Sequence, residues 1–238
     1  SYLGQGNQWI DLSGQNTATL FNNPVYNSSN INLINGTTVA EPASLYFDGV
    51  NKYVDTSITN VLKHEYTISC WMKTKYAQKC GLFGFRSNWP VTGDLCQSIM
   101  YITGDDDAGT SGVGVHWEEW DAVNVNYNFT KISDRSISNG LMLNVCDNKW
   151  HNIALVKSIN ESRMYVDNIF IGSDTTHDTV SVVGDLTFKI AAAGNGASSN
   201  LDGYYYKGNI SLVTYYDRAL SENELTQNYD YFKLRYMV

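Results

Sequence analysis

The feature that most constrains the fold of this chain is a strand that runs directly into a capped helix, in residues 203–225 (GYYYKGNISLVTYYDRALSENEL). Aromatic and β-branched residues alternate with other residue types up to Tyr216, as expected of a strand in a sheet. Beyond this strand, Ser221 and Glu224 have the spacing of a capping box, in which each side chain hydrogen-bonds to the backbone of the other residue. The sequence therefore predicts a closing strand followed by a short helix near residues 221–229.

Period-two patterns dominate the chain before that helix, and helical periodicity is nearly absent. In YTISCWMK, for example, Ile68 and Met72 fall on the same face of a strand. SRMYVDNIFIGS predicts a hairpin with Asp167-Asn168 as its two-residue turn, since Asn and Asp tolerate positive φ. The alternation predicts two packed antiparallel sheets in a sandwich or jelly roll. The predicted core residues are Leu45, Phe47, Ile68, Met72, Leu155, Val166, Phe188 and Ile190.

Length and composition fit one all-β domain, since sandwiches reach this size without dividing. Hydrophobic residues make up 43% of the 238 residues, which is enough for a large core. The net charge is −8 and the isoelectric point about 4.9. Such a surface repels phosphate, which argues against nucleic acid and anionic membranes as partners. No apolar run approaches the ~20 residues that span a bilayer, so no membrane insertion is expected.

The four cysteines are too few and too scattered for a disulfide scaffold, and no C-x-x-C pair is present. Cys70 alternates with core positions and is interpreted as a small core residue. Cys80 and Cys96 flank a hairpin-like segment and could meet in a disulfide. Free thiols are favoured at both positions, because a core of this size needs no covalent staple.

Four further segments, together with residues 203–225, resemble laminin-G-like domains of the concanavalin-A-like lectin/glucanase family. They are LYFDGVNKYV (residues 45–54), TISCWMK (67–73), WHNIALV (150–156) and MYVDNIFIG (164–172). The resemblance implies an all-β jelly-roll sandwich of two antiparallel sheets with a short C-terminal helix, as a single domain over residues 1–238. Residues 87–139 match no part of the family pattern and are interpreted as a loop-rich insertion.

The two ends of the chain narrow this resemblance further. SYLGQGNQWIDLSGQNTATLFNNPVY (residues 1–26) and LTQNYDYFKLRYMV (225–238) are similar to the opening and closing segments of laminin-G-like domains in tailed-phage structural proteins. The similarity implies a location on the virion surface or another extracellular setting, with other virion subunits and further copies of this chain as candidate partners. Such domains usually have one more strand before Ser1, so we expect this chain to be the C-terminal part of a longer polypeptide.

Catalysis has to be considered because glucanases share this fold. The glucanases of this family have the signature E-x-D-x-x-E. Its two glutamates flank the scissile bond, the first as the nucleophile and the last as the acid/base. The nearest match here starts at Glu119 and ends at Asn124, and an amide cannot donate and retrieve the proton. We therefore predict that the protein is not an enzyme and assign no catalytic residues.

An aromatic and acidic segment is the predicted ligand site. GDDDAGTSGVGVHWEEWD places tryptophans among carboxylates. Exposed Trp rings offer apolar platforms to sugars, and carboxylates accept hydrogen bonds from sugar hydroxyls. The alternative is that one Trp packs beneath the loop and the acids are simply solvated. The candidate ligand residues are Trp117, Trp120, Glu118, Glu119, Asp121 and, in a neighbouring loop, Trp89.

Calcium is a candidate cofactor at two places. Asp105, Asp106 and Asp107 offer hard oxygen ligands on a Gly-flanked loop, without the spaced D-x-D-x-D-G pattern. The family resemblance implies a second calcium site near Asp48, aided by an Asp in the family's "G-x-I-D" strand. Ser211 stands at that Asp position here, which weakens the case for the second site.

Three functions remain open from the sequence. The first is a non-enzymatic binding module displayed on a virion, as a capsid decoration, fibre or tail part, that contacts host-surface glycans or neighbouring subunits. The second is a purely structural assembly domain that binds no sugar. The third is a glycan hydrolase, which the fold allows but the motif does not support.

Overall fold

The computed structural model describes residues 6–14, 16–34, 37–59, 65–86, 96–103, 114–121, 128–133, 144–175, 187–192 and 204–236. Within these strands, the side chains of residues 30–40, 57, 59, 85–86, 96–97, 103, 120–121 and 128–133 lie outside the description.

The described elements are seventeen strands and one helix. In chain order they are β1 (Gln8–Ile10), β2 (Thr17–Phe21), β3 (Val25–Asn27), β4 (Asn30–Ile34), β5 (Thr37–Glu41), β6 (Ser44–Asp48), β7 (Tyr53–Thr59), β8 (Tyr66–Lys73), β9 (Cys80–Arg86), β10 (Cys96–Thr103), β11 (Gly114–Asp121), β12 (Asn128–Ser133), β13 (Trp150–Lys157), β14 (Glu161–Val166), β15 (Ile169–Thr175), β16 (Thr187–Ile190), β17 (Lys207–Tyr216) and α1 (Glu222–Lys233).

Two large antiparallel sheets make up the molecule, as the sequence predicts. One sheet has eight strands in the order β1-β2-β7-β16-β9-β10-β11-β12, and the other has seven in the order β15-β14-β13-β8-β17-β6-β3. A separate two-stranded ribbon joins β4 and β5. This is the arrangement of a concanavalin-A-like jelly roll, in which the two inner faces of the sheets share one core.

Strand alternation decides which side chains enter that core. All eight predicted core residues are at most 7% exposed and lie in the cluster between the sheets. On β8, Ile68, Cys70 and Met72 face this cluster, while Trp71 faces the opposite side and stacks on Tyr236 with ring centroids 4.1 Å apart. The prediction of the core is therefore confirmed. A shift of one residue in strand register would have moved every predicted side chain to the other face of the sheet.

Helix α1 covers the outer face of the seven-stranded sheet. Ser221 is its N-cap and forms the predicted capping box with Glu224, and Leu220 packs with Leu225 over β13 and β14. The helix continues to Lys233, about one turn beyond the predicted end. The additional turn is stabilised by packing, since Phe232 contacts the aromatic cluster that contains Trp71.

The predicted hairpin is also confirmed. Val166 of β14 pairs with Ile169 of β15, and the intervening Asp167 and Asn168 have φ of 51° and 64°. Positive φ at both positions is what a type I′ turn requires.

The described residues of the range 87–139 form strands, where the sequence predicted a loop-rich insertion. They include β10, β11 and β12, which extend the eight-stranded sheet through consecutive antiparallel pairings. The same pairings separate two cysteines: Cys80 lies opposite Ile102, whereas Cys96 lies at the other end of β10, opposite Asp121. Six residues of strand correspond to about 20 Å, so these thiols do not meet, and Cys80 is a free thiol.

No helix in the described ranges is long and apolar enough to cross a membrane. The family resemblance implies that residues 1–238 are a single domain at the C-terminal end of a longer polypeptide. This stays a prediction.

Candidate functional site

Strand β11 carries most of the predicted ligand residues, and its alternation sends them to opposite faces of the sheet. Val115 and Trp117 belong to the core between the two sheets. His116 and Glu118 have the opposite parity and contact Tyr101 on the outer face. The residues that the sequence predicted as one loop site are therefore divided by the sheet.

Trp117 is not an exposed platform. Its side chain is 1% exposed, and its indole Nε1–H donates to Ser98 Oγ over 3.3 Å. Ser98 Oγ lies 3.1 Å from the hydroxyl of Tyr66 on the facing sheet. The expectation of an exposed Trp117 is wrong, and the alternative that one tryptophan packs inside is correct. The reason is that Trp117 occupies an inward-facing position of β11, where its large apolar ring is buried between the two sheets.

Glu119 also faces the interior. It is 4% exposed and pairs with the ammonium group of Lys157, which is 2% exposed and comes from the facing sheet. Burial, followed by the nearby charge of Glu119, raises the pKa of the Tyr66 hydroxyl well above its usual value. A carboxylate enclosed and neutralised in this way cannot reach a polysaccharide, so Glu119 does not serve as a surface ligand residue.

Glu118 is the predicted residue that the structure places in a surface cluster, which we term the Tyr101 cluster (Lys79, Tyr101, His116, Glu118 and Tyr204). The Tyr101 hydroxyl donates to Glu118 Oε2 over 3.2 Å, and His116 Nε2 lies 3.3 Å from the same oxygen. The Glu118 side chain keeps 18% of its surface exposed. The carboxylate is thus fixed in orientation while part of it remains accessible.

Two tyrosine rings and one ammonium group complete the Tyr101 cluster. The rings of Tyr101 and Tyr204 stack with centroids 6.4 Å apart. Lys79 Nζ lies 5.1 Å from the first centroid and 4.8 Å from the second, within cation–π distance of both. Tyr204 and Lys79 are half-buried. The cluster combines an aromatic surface with a carboxylate and a cation on one face.

The electrostatics of this cluster keep Glu118 ionised. Burial alone would raise its pKa, but the hydrogen bond and charge of His116, the Tyr101 hydroxyl and the charge of Lys79 together lower it. An ionised carboxylate is a strong hydrogen-bond acceptor. The cluster therefore provides a fixed acceptor beside an aromatic ring.

For the remaining predicted ligand residues, the structure describes either the backbone alone or neither backbone nor side chain. Trp120 and Asp121 form the last two positions of β11, where their backbones pair with Phe129 and Asn128. Their side chains are outside the described part, and so are Trp89 and Asn124. Their ligand roles stay predictions.

Of the two predicted calcium positions, only Asp48 falls in the described ranges. Its carboxylate accepts from the backbone N–H of Val50 at 3.0 Å and lies 3.4 Å from Lys52 Nζ. Burial is the largest single influence and opposes ionisation, but the contacts with Val50 and Lys52 together outweigh it and lower the pKa of Asp48. Ser211, at the family's Asp position, donates instead to the carbonyl of Ala43 at 2.6 Å.

Within the described ranges, no three His, Cys, Asp or Glu residues are grouped as metal ligands. The other predicted position, Asp105, Asp106 and Asp107, lies outside those ranges. Calcium binding there stays a prediction.

Sequence reasoning missed Lys79, Tyr101 and Tyr204. Tyr101 alternates with apolar residues in β10 and reads as an ordinary strand residue, while Lys79 and Tyr204 belong to segments far from it in sequence. Pairing of β10 with β9 brings Tyr101 close to Lys79, and the backbone N–H of Gly81 in β9 donates to the carbonyl of Tyr204 at 3.0 Å. Only a knowledge of strand order could have identified this cluster.

Comparison with known proteins identifies the family of this chain. Residues 47–226 match a laminin-G-like family described as the concanavalin A-like lectin/glucanases superfamily. No curated protein sequence matches the chain.

Solved structures show the same fold at low sequence identity. The binding domain of Paraclostridial Mosquitocidal Protein 1 has 14% identity and a TM-score of 0.59, over 98% of this chain and 51% of that one. The ligand binding domain of botulinum neurotoxin serotype D, in complex with N-acetylneuraminic acid, has 14% identity and a TM-score of 0.58, over 95% and 48%.

A third structure matches over nearly its whole length. Domain 4 of AbnA, a GH43 extracellular arabinanase from Geobacillus stearothermophilus, in complex with arabinotriose, has 12% identity and a TM-score of 0.55, over 91% of this chain and 90% of that one. The present chain spans only about half the length of the toxin binding domains. At these identities the likeness shows the fold alone.

Proposed function

This chain belongs to the concanavalin A-like lectin/glucanase superfamily, and from that premise we propose that it is a non-enzymatic binding module that recognises carbohydrate through the Tyr101 cluster. The observation that carries the proposal is the ionised carboxylate of Glu118 beside the stacked rings of Tyr101 and Tyr204. Sugar rings present C–H groups to aromatic faces and hydroxyl donors to carboxylates. The cluster supplies both partners on one face of a rigid sheet.

Preorganisation favours binding by this cluster. Tyr101 and His116 already hydrogen-bond to Glu118, and both are at most 5% exposed. A ligand therefore meets an acceptor whose rotamer is fixed, so little side-chain entropy is lost on association. Tyr204 and Lys79 are more accessible and provide the contact surface.

Structural relatives support a binding role. Domain 4 of AbnA was solved with arabinotriose, and the botulinum neurotoxin D domain with N-acetylneuraminic acid. Two further matched chains are receptor binding domains of botulinum neurotoxins. These relatives show that this fold serves as a recognition module when it is attached to larger proteins.

The orientation of the acidic residues argues against glycan hydrolysis. A glycosidase needs two carboxyl groups that flank the scissile bond within one cleft, about 5–10 Å apart. Glu118 lies on the outer face of the sheet, whereas Glu119 is paired with Lys157 between the sheets. Neighbouring glutamates on one strand cannot form that pair.

We extend the proposal to location and partners. The end segments that resemble phage structural proteins suggest display on a virion, with neighbouring virion subunits as further contacts. The alternative is a structural assembly domain that contacts those subunits and binds no sugar.

The test begins with a glycan array and with titration of arabinotriose and N-acetylneuraminic acid by calorimetry. Glu118→Gln keeps the shape of the side chain but removes its charge, and Tyr204→Ala removes the accessible ring. We expect each variant to weaken binding of any glycan ligand by about tenfold or more. Lys149→Ala is the control, because its side chain is 78% exposed and lies outside the cluster.

Two results would reject the proposal. If no glycan binds to the parent protein, the structural assembly role is preferred. If a glycan binds equally well to the parent, Glu118→Gln and Tyr204→Ala, the binding site lies elsewhere on the molecule.

A further inference from the structure

A cavity of about 990 Å³ is lined by strands of both sheets at one corner of the sandwich, where β1 and β3 are the edge strands. Strands β1, β2, β7 and β16 line one wall, and β3, β6 and β17 line the other, with the end of α1 at the rim. The cavity is lined by core-facing residues such as Ile68 and Phe188 and by residues beside α1 such as Leu212, and its lining includes no member of the Tyr101 cluster. It is therefore a separate feature from the proposed carbohydrate site.

Apolar residues at core-facing positions are incompletely covered at this corner. Eight partly buried hydrophobic residues pack against the main core, and six of them line the cavity. These six are Trp9, Ala18, Tyr26, Ile58, Val213 and Tyr215. Each Å² of apolar surface removed from water contributes about 25 cal/mol, so an apolar ligand gains free energy by completing this part of the core.

Three hydroxyl groups of the walls are already hydrogen-bonded within the protein. The Thr56 hydroxyl donates to the carbonyl of Phe188 at 2.9 Å, and Thr214 Oγ1 lies 2.8 Å from Ser69 Oγ. Ser211 donates to the carbonyl of Ala43. A sugar would lose the hydration of its hydroxyls here with few partners in return, so the body of a suitable ligand is apolar.

Three charged residues lie at the cavity, and two of them have partners of their own. Asp11 accepts from the backbone N–H of Ser13 at 3.0 Å, and Glu41 binds Lys73 at 2.6 Å. Arg235 is exposed, with its guanidinium carbon 5.6 Å from the Phe232 ring centroid. In the described ranges, no carboxylate lies within ion-pair distance of Arg235, so this cation is the place for an anionic group.

We propose that this cavity binds an amphipathic carboxylate of the fatty-acid type, with its apolar chain between the sheets and its carboxylate at Arg235. The volume is at the upper end of the range for small-molecule sites, which suits a long or bulky apolar ligand. Apolar residues make up most of the described lining, three hydroxyl groups of the walls are hydrogen-bonded within the protein, and the cation lies at the rim. This assignment goes beyond carbohydrate recognition and does not depend on it.

The test uses the whole chain after lipid extraction, titrated with palmitate and with hexadecan-1-ol, its uncharged analogue. Ala18→Trp places a large ring in the cavity, and we expect it to weaken binding of both probes by about tenfold or more. Arg235→Gln removes the cation and should weaken palmitate about fivefold or more while leaving hexadecan-1-ol unchanged. Arg235→Lys should restore most of the palmitate affinity.

Matched controls are available on other surfaces. Ile169→Trp adds the same ring at an exposed position on β15, and Glu118→Gln alters the carbohydrate cluster only; both should bind palmitate like the parent. If circular dichroism shows that Ala18→Trp fails to fold, Val213→Phe fills the cavity from the opposite wall and replaces it.

Three outcomes would overturn the proposal. The first is no saturable palmitate binding by the parent, which would mean that the cavity does not accept this ligand. The second is equal binding by the parent and the folded cavity-filling variant. The third is an equal effect of Arg235→Gln on palmitate and hexadecan-1-ol, which would show that the carboxylate is not recognised there.

Discussion

Lys157 and Glu119 form an ion pair between the two sheets, with side chains only 2% and 5% exposed. Removing one partner of such a pair leaves an uncompensated charge in the interior. We expect Lys157→Met to lower the free energy of unfolding by about 3–5 kcal/mol. Urea denaturation of the parent and the variant measures this difference.

The double variant Lys157→Met with Glu119→Leu is the control for this pair. Replacing both charges by apolar residues of similar volume is often neutral or stabilising, so most of the lost stability should return. If the double variant were as unstable as Lys157→Met alone, the loss would come from packing and not from the unpaired carboxylate.

A second residue-scale effect is the dependence of stability on pH at His151. Its Nδ1 lies 2.7 Å from Asp167 and its Nε2 3.0 Å from Asp147. Burial opposes the charged ring, but the two aspartates outweigh it and raise the pKa of His151 above its usual 6.5. The folded state therefore binds this proton more tightly than the unfolded state.

The sign of the effect follows from that direction. The stabilisation by protonated His151 is complete below pH 6.5 and is lost as the pH rises through the raised pKa. We expect the stability difference between the parent and His151→Gln, measured by urea unfolding, to be larger at pH 5.5 than at pH 8.5. An equal difference at both values would contradict a charged His151 in the folded protein.

Among the elements, helix α1 depends most clearly on a local signal. The Ser221 hydroxyl accepts from the backbone N–H of Glu224 at 3.4 Å, and the Glu224 carboxylate accepts from the backbone N–H of Ser221 at 2.9 Å. Arg218 binds the same carboxylate, and these contacts, with the Arg218 hydrogen bond largest, lower the pKa of Glu224 to about 2. The Glu224 carboxylate of the capping box therefore stays ionised in mild acid.

Loss of the N-cap side chain should destabilise the whole protein, because α1 covers one face of a sheet. We expect Ser221→Ala to cost about 1 kcal/mol in thermal or urea unfolding. Asn223→Ala is the matched control, since residue 223 is exposed in the first turn and takes no part in the capping box. An equal loss in both variants would show that the cap is not responsible.

On the scale of the whole molecule, the eight-stranded sheet separates Glu118 from Glu119. We expect no release of reducing ends from laminarin or related glucans, because Glu118 and Glu119 lie on opposite faces of the eight-stranded sheet. A reducing-sugar assay with the parent and Glu119→Gln checks this. Turnover by the parent that Glu119→Gln abolishes would contradict the proposed non-enzymatic role.

The sequence by itself determined the elements whose signals are local. Three such signals act within a few residues, and each is observed. They are the common face of Ile68 and Met72 in one strand, the Asp167-Asn168 turn and the Ser221 capping box. The core was predictable for the same reason, since a strand with one buried face shows its period in the sequence. Strands β10, β11 and β12 within residues 87–139 were missed because the acidic and glycine-rich segments beside them suggested a loop.

Only the tertiary structure decided which candidate functional residues are buried and which are grouped at the surface. Glu119 occupies an inward position of β11 by strand alternation, and its partner there, Lys157 of the facing sheet, is 38 residues away in sequence. The Tyr101 cluster exists because β9, β10 and β11 are neighbours in one sheet and Tyr204 hydrogen-bonds to Gly81 of β9. The cavity exists because strands of two different sheets line it. Period and capping act along the chain, whereas burial, ion pairing and cavities depend on which strands meet, and strand order is not encoded in any local pattern.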